Sequence, residues 1–506
     1  MYQIINKEQA AALIKDGDCI FINCFLALGH ADAIHQGILE RYQATGHPKD
    51  LTLMSTAGFG GWIEDKFAET YVAAGAVRRV INSHYPTMPT STRMIAEEKM
   101  EGYGIPLGTI SHALRAMAGG KKDFLTQMGP GLYVDPRLDG PAMNSISHDE
   151  LVRVVEVDGE EYLKYTLPQP DICIIKATTA DAMGNLTFED EYMYADALAA
   201  AQATHAHGGK VLVQVDRLSS CPARPRTVIV PGVLVDYVVV AEREITDEAI
   251  LTMTGGKHVP AAHVDYWLSR LTGSAPARKE SRDQSPQLIG RRAAQELHAG
   301  DVVNIGVGLP EMVGPAASQS GILQDVTMTV ESGGVGGMPV PGRVFGATLN
   351  ADMIYDMASQ FDFYDGGGLD VCFMGALEVD KEGNVNVHRR PDRYVGIGGF
   401  GNITSASRTV VFCFNFRSHG LIVQEEAGQV KIVQEGSIEK IKEKVSTISF
   451  SARKAHERGQ KVLYVTERCV FRLGEKGLCL CQVYPGVDMQ KDILDQLSFT
   501  PEIDLD

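Results

Sequence analysis

Apolar residues in this chain follow two rhythms. Over residues 7–24 (KEQAAALIKDGDCIFINC) they first recur at helical spacing, stop at Gly17, and then run on without interruption. That pattern predicts a short amphipathic helix, a glycine stop and a buried strand. GRRAAQELHAGDVVNIG, from Gly290, repeats the order, with Gly300-Asp301 in place of Gly17-Asp18. DICIIKATTADAMGN from Asp171 and DVCFMGALEVDKEGN from Asp370 also align without a gap: Asp171, Cys173, Ala177, Asp181, Gly184 and Asn185 match Asp370, Cys372, Ala376, Asp380, Gly383 and Asn384. Each predicts an apolar strand, a polar stretch and a Gly-Asn turn before a second strand. A third pairing sets VIVPGVLVD, around Pro231-Gly232, against CQVYPGVDM, around Pro485-Gly486. The same order in both halves predicts two tandem, structurally related open α/β domains with mainly parallel sheets.

Length supports the division, because 506 residues exceed the ~250–300 at which single cores stop growing. An N-terminal domain is expected over 1–272 and a C-terminal domain over 288–506, with the active site between them. The polar, proline-bearing stretch 273–287 (GSAPARKESRDQSPQ) is the expected linker. Each half carries its own insertion, near 85–165 and near 415–465. With 44% hydrophobic and 22% charged residues, the composition is that of a globular chain.

A formal net charge of −17 argues against a sequence-independent grip on nucleic acid or anionic lipid. Small anionic ligands stay open, since local backbone N–H groups and a few cations can hold them. The opening MYQIINKEQAAALIKDGD is charged where a signal peptide is apolar, and no run of ~20 apolar residues appears. A cytoplasmic protein is expected. Nine Cys, mostly inside apolar runs, suggest neither a disulfide framework nor a metal site.

The most unusual local sequence is VTMTVESGGVGGMPVPG. Its β-branched start reads as a buried strand, so Glu331 falls at the carboxyl end of that strand, the edge where open α/β sheets bind ligands. The following glycines would let a ligand approach the backbone closely; a carboxylate capping a glycine-rich turn is the other reading. NIGVGLPE places Gly306 and Gly308 before Pro310, which suits the first turn of a helix and an oxyanion site, or equally a tight turn. GIGGFGN has the G-x-G-x-x-G spacing, but too few residues separate it from the strand-like TVVFCFNF to hold a dinucleotide-binding helix. In SQFDFYDGGGLD, Gln360 and Asp362 are candidate polar groups beside an aromatic cluster that suits packing. Glu467 with Arg468, and Asp135 with Arg137, are expected to pair as structural ions. Zincin, α/β-hydrolase and P-loop motifs do not occur.

Taken together, ESGGVGG at Glu331, NIGVGLPE at Asn304, FDFYDGGGLDVC at Phe361, GIGGFGNI at Gly396, TERCVFRL and YPGVDMQKDIL resemble the family I coenzyme A transferases. The likeness is greatest to the fused, single-chain acetate or propionate CoA-transferases, over nearly the whole chain. It implies ping-pong transfer of CoA from an acyl-CoA to a short-chain carboxylate, with Glu331 as nucleophile and a glutamyl-CoA thioester as intermediate. It assigns Gly306, Gly308, Gly398, Gly399 and Phe400 to CoA or oxyanion contact. Coenzyme A enters as substrate, with no resident cofactor or metal, and a homodimer or homotetramer is implied. Where such enzymes carry a glycine-rich acyl-side loop, this chain has CFLALGHADAI, so Phe25 and Leu26 are expected to narrow or reshape the acyl pocket. The alternatives are a carrier-protein acyltransferase resembling the citrate lyase α subunit and a CoA-binding regulator without turnover.

Overall fold

The computed structural model describes residues 2–62, 65–241, 282–390 and 393–505. In the first half, β1 (Gln3–Ile5), β2 (Cys19–Asn23), β3 (Leu51–Met54), β4 (Val77–Asn82), β5 (Glu101–Gly104), β6 (Ile172–Asp181), β7 (Lys210–Ser219) and β8 (Tyr237–Val240) form a sheet. Its order is β1-β8-β7-β6-β2-β3-β4-β5, and every neighbouring pair is parallel. In the second half, β9 (Val302–Ile305), β10 (Thr327–Thr329), β11 (Val371–Gly375), β12 (Thr409–Cys413) and β13 (Lys461–Val465) lie parallel in the order β10-β9-β11-β12-β13. Antiparallel strands border this block, Gly334–Val335 beside β10 and Cys469–Gly474 beside β13. The run β3-β2-β6-β7-β8 of one sheet thus has the order and direction of β10-β9-β11-β12-β13 in the other.

Alternation along the buried strands sends successive side chains to opposite faces. Ile20, Ile22, Ile172 and Ile174 pack into a cluster on the outer face of the first sheet, and Val303, Val371, Phe373 and Val411 into one on the outer face of the second. Their neighbours Phe21, Cys173, Cys372, Val410 and Phe412 belong to a third cluster that includes residues of both halves. The inner faces therefore share a core, and the two units meet through it.

The repeat extends to individual hydrogen bonds. Gly17 and Gly300 both have positive φ, 80° and 91°, and the Asp18 and Asp301 side chains accept from Lys15 N and His298 N at 2.8 and 2.7 Å. The carboxylates of Asp171 and Asp370 accept from Cys19 N and Val302 N at 2.8 and 2.9 Å. Asp181 and Asp380 each hold the Gly-Asn turn, through Asn185 N and Asn384 N at 2.9 and 2.8 Å. The third sequence pairing is corrected. Asn185 Oδ1 accepts from Gly232 N at 2.9 Å, and its counterpart Asn384 Oδ1 accepts from Ala452 N at 3.0 Å. The partner of Val230-Pro231-Gly232 is thus Phe450-Ser451-Ala452, whereas Pro485-Gly486 follows the later strands of the second sheet. Of the expected linker, 273–281 lie outside the described residues, and Ser285 to Gln287 are already the first turn of helix Ser285–Ala293.

Candidate active site

Strand β10 ends at Thr329, and Glu331 stands just beyond it in a turn closed by Val330 N to Gly334 O, 2.9 Å, and Gly333 N to Val330 O, 3.0 Å. The glycines here serve the chain's own packing. A Cβ on Gly333 would lie 1.9 Å from Tyr355 O, one on Gly334 2.2 Å from Thr348 Oγ1, and one on Gly337 2.2 Å from Leu349 O. The expectation that a ligand approaches this backbone is corrected: residues 348–355 occupy that space.

The Glu331 side chain turns instead into a cavity of about 420 Å3 bounded by both halves. Its carboxylate reaches the cavity and is half-buried as regards water, but it lies deep among protein atoms. Burial pushes its proton affinity up from 4.5 to about 7, because a carboxylate removed from water favours the neutral form.

Gly306, Gly308, Gly398, Gly399 and Phe400, the other sequence-predicted site residues, line the same cavity. Gly399 abuts the acid: a Cβ there would stand 2.7 Å from Glu331 Oε1. Gly308 and Gly398 have φ of 93° and 55° and face open space, so their backbone is presented to the cavity. Phe400 opens the short helix Phe400–Ala406, which β12 follows after two residues, as the rejection of a dinucleotide fold requires. First-half residues hold this loop in place. Gly398 N donates to Ser83 O at 2.9 Å, Leu107 N to Gly398 O at 3.0 Å and Tyr85 N to Val395 O at 3.0 Å.

Phe25 and Leu26 form part of the opposite wall, with Ala57, Trp62 and His84. Asn82, the last residue of β4, fixes this corner by accepting from Gly58 N, Ser83 N and His84 N at 2.7, 2.7 and 3.0 Å. Burial pushes the His84 imidazole down to about 4, which keeps it neutral, and Trp62 meets its ring edge-on at 5.8 Å. Two cations complete the site: Arg390, exposed, and Lys440, whose Nζ donates to Ala376 O. Burial pushes the Lys440 ammonium down to about 8. Sequence reading missed His84, Trp62, Arg390 and Lys440. The one signal for His84 was its place just past the carboxyl end of a strand, the rule that singled out Glu331.

Other candidates lie elsewhere. Asp362 points away from the cavity and pairs with His112 at 3.0 Å and with Arg115; Gln360 is fully buried beneath it and does not line the cavity. Arg468 Nε donates to Glu467 Oε1 at 2.6 Å with both side chains fully buried, and Arg137 grips Asp135 at 2.7 Å. Both are structural ion pairs.

Such a site can carry covalent chemistry. A desolvated carboxylate is a stronger nucleophile than a hydrated one, and glycine backbone, two cations and apolar walls surround it. Comparison with known proteins agrees. Residues 4–241 match the family model described as coenzyme A transferase. The acetate CoA-transferase of Escherichia coli strain K12 is 37% identical over 507 residues, 99% of this chain and 92% of its own length. The caffeate CoA-transferase of Acetobacterium woodii is 37% identical over 512 residues, 100% of this chain and 96% of its own. The crystal structure of the acyl-CoA transferase apoenzyme from E. coli O157:H7 superposes with a TM-score of 0.89 at 35% identity, covering 100% of this chain and 95% of that chain. Its thioester complex with CoA superposes at 0.87. With its two mainly parallel sheets, its shared cavity and relatives alike over nearly their full length, the chain belongs to the coenzyme A transferase family and is a CoA-transferase.

Proposed function

We propose that Glu331 is the nucleophile and that the acid partner is a short-chain monocarboxylate. The carrying observation is the placement of a half-buried carboxylate, its proton affinity raised by the protein around it, on the wall of a cavity that both halves build. Its oxygen attacks the acyl-CoA carbonyl, a C–O bond forms, the C–S bond breaks and CoA leaves as thiolate. The thiolate then attacks the glutamyl carbonyl of the mixed anhydride, the first acid departs as carboxylate, and a glutamyl-CoA thioester remains. An incoming carboxylate runs the two steps in reverse. The thioester's free energy is conserved because one hard displacement is split into two, and the apolar walls keep water from the anhydride. The thioester complex of the E. coli relative supports this reading.

Polarity divides the cavity. Arg390 and Lys440 belong to the second half, where the glycine stretches 306–308 and 398–399 would take the pantetheine arm. Among the described residues, the first half lines the cavity with Phe25, Leu26, Ala57, Trp62, Leu107 and a neutral His84. That wall has no cation for a second carboxylate, which favours monocarboxylic over dicarboxylic acids. We place the enzyme in the cytoplasm, in keeping with nine unpaired cysteines; among the described residues no helix is long and apolar enough to cross a membrane.

The test is to incubate the enzyme with an acyl-CoA, trap with hydroxylamine or borohydride, and analyse the Glu331 peptide by mass spectrometry. Modification at Glu331 is expected. Modification of another residue, or exchange with none, would overturn the assignment.

A further inference from the structure

Leu26 is one of two residues of the acyl wall with a left-handed backbone, the other being Trp62 at φ 67°. The φ of Leu26 is +55°, a left-handed conformation that brings a side chain's Cβ against its own backbone and persists only where surroundings over-determine it. Here both flanking peptide groups are clamped. Leu26 N donates to Ala57 O at 3.1 Å, and the buried His30 ring reaches Leu26 O at 2.8 Å through Nε2. A carbonyl only accepts, so His30 carries its proton on Nε2. His30 is itself held face to face with Phe67, ring centroids 3.7 Å apart and planes within 3°.

Phe25 and Leu28 exchange backbone hydrogen bonds of 3.0 Å around this residue, which fixes the turn, and Phe25 is pinned from the other half: a Cβ on Gly346 would lie 2.5 Å from its ring. Counting on without a gap from the matched Asp18 and Asp301, Phe25 stands where the second half has Gly308. The second half leaves backbone open at that level, and the first fills it with side chain. The Leu26 side chain is 3% exposed and lines the cavity that holds Glu331. A strained backbone clamped at both ends, carrying an apolar side chain into a reaction cavity, suits a fixed stop better than a mobile wall.

We propose that Leu26 sets the length of the acid the enzyme accepts, and that His30 is the positioning residue that holds it in its left-handed conformation. The inference rests on the reading of the cavity as the CoA-transfer site.

The test compares kcat/KM for acetyl-CoA, butyryl-CoA and hexanoyl-CoA, with labelled acetate as acceptor, in the native full-length enzyme and in variants. Leu26→Gly relieves the backbone strain and so should fold, and Leu26→Ala shortens the side chain while keeping a Cβ. Both are expected to raise the hexanoyl-to-acetyl ratio by about tenfold or more, the scale of a few methylenes in an apolar pocket. His30→Phe keeps a ring against Phe67 but removes the donor, and is expected to move the ratio in the same direction. His30→Gln, whose Nε2 can serve the same carbonyl, should restore it; a purely structural role for His30 would change thermal stability and leave the ratio alone. Ratios within about twofold of native in both Leu26 variants, with exchange intact, overturn the inference alone. Failure of the native enzyme to exchange any of the three acyl groups overturns the underlying reading as well.

Discussion

Gly399 and Glu331 are packed so closely that no side chain fits between them. A methyl group on Gly399 would stand 2.7 Å from Oε1 and 3.0 Å from Cγ of the acid, and 3.0 Å from the Phe361 ring. Phe361 is fully buried and cannot yield, so the acid must move. Gly399→Ala is expected to displace the carboxylate by ~1 Å and lower kcat by roughly 100-fold, with trapped glutamyl-CoA thioester falling in step. A variant that folds and keeps its native kcat would show that Glu331 needs no such exact seat.

The proton on Glu331 links rate to pH. A nucleophile must be ionised, and burial sets its affinity at about 7. The rate of thioester formation in single-turnover experiments is therefore expected to climb about tenfold per pH unit below that value and level off above it. Glu331→Gln should abolish exchange, and Glu331→Asp should lose on the order of 100-fold because the shorter arm retracts the attacking oxygen.

Stability moves in the opposite direction. The folded pKa of about 7 lies above the ordinary value of 4.5, so between the two the native state binds more protons than the unfolded one. Stability then falls as pH rises from about 4.5 to about 7, by roughly 2–3 kcal/mol at most. Urea unfolding at pH 5 and pH 8 measures this difference. In Glu331→Gln the contribution should vanish, leaving that variant more stable than native at pH 8 and inactive.

Legibility in the sequence followed the range of the forces involved. Asp18 and Asp301, or Asp181 and Asp380, bond to backbone two to four residues away or cap the next strand, so their roles are written in local spacing and the repeat could be read from them. The Pro-Gly pairing failed because the interaction that defines the position is long-range: Gly232 and Ala452 are related by donating to Asn185 and Asn384, and no proline is needed for that. Glu331 was legible as an acid at a strand end. His84, Arg390 and Lys440 were not, since each enters the cavity from a separate connection and only tertiary packing brings them together. The glycines after Glu331 were seen, but their purpose was misread, because the strand that fills the space beside them lies farther along the chain.

Gly308 and Gly398 give a way to separate binding from chemistry. Both have positive φ and face open space, so an added methyl group meets no protein atom and projects toward the cavity. Gly398→Ala, at a φ of 55° that alanine can adopt, is expected to cost about 1–2 kcal/mol in stability. It should raise KM for acyl-CoA about tenfold with a smaller change in kcat, the signature of lost uniform binding. Gly308, at φ 93° and ψ −126°, lies in a region that essentially only glycine occupies, and Gly308→Ala should be the less stable of the two. A fall in kcat at unchanged KM for Gly398→Ala would move that loop from the CoA arm to the reacting carbonyl.

Arg468 offers the contrasting case of a perturbed group with no place in the chemistry. It is fully buried, bonded to Glu467 through Nε at 2.6 Å and to both oxygens of Glu435 at 2.7 and 2.8 Å, and its guanidinium lies 4.7 Å from the centre of the Phe416 ring. Arg468→Ala strands a buried Glu467 and is expected to cost about 3–5 kcal/mol, read as a lowered denaturation midpoint. Replacing both members of the fully buried pair, as Arg468→Met with Glu467→Gln, removes their two charges and leaves only the one-third-exposed Glu435 without its arginine, while the introduced amide oxygen can still accept from Phe416 N, the bond that Glu467 Oε2 makes at 2.9 Å. The double variant should therefore recover much of the loss, since the penalty of the single change comes from the unpaired charge. Neither residue lines the cavity, so kcat/KM per folded molecule should stay near native in both. A double variant as unstable as the single one would mean that Arg468 acts through packing on Phe416 and its hydrogen bonds to Glu435, with the Glu467 charge secondary.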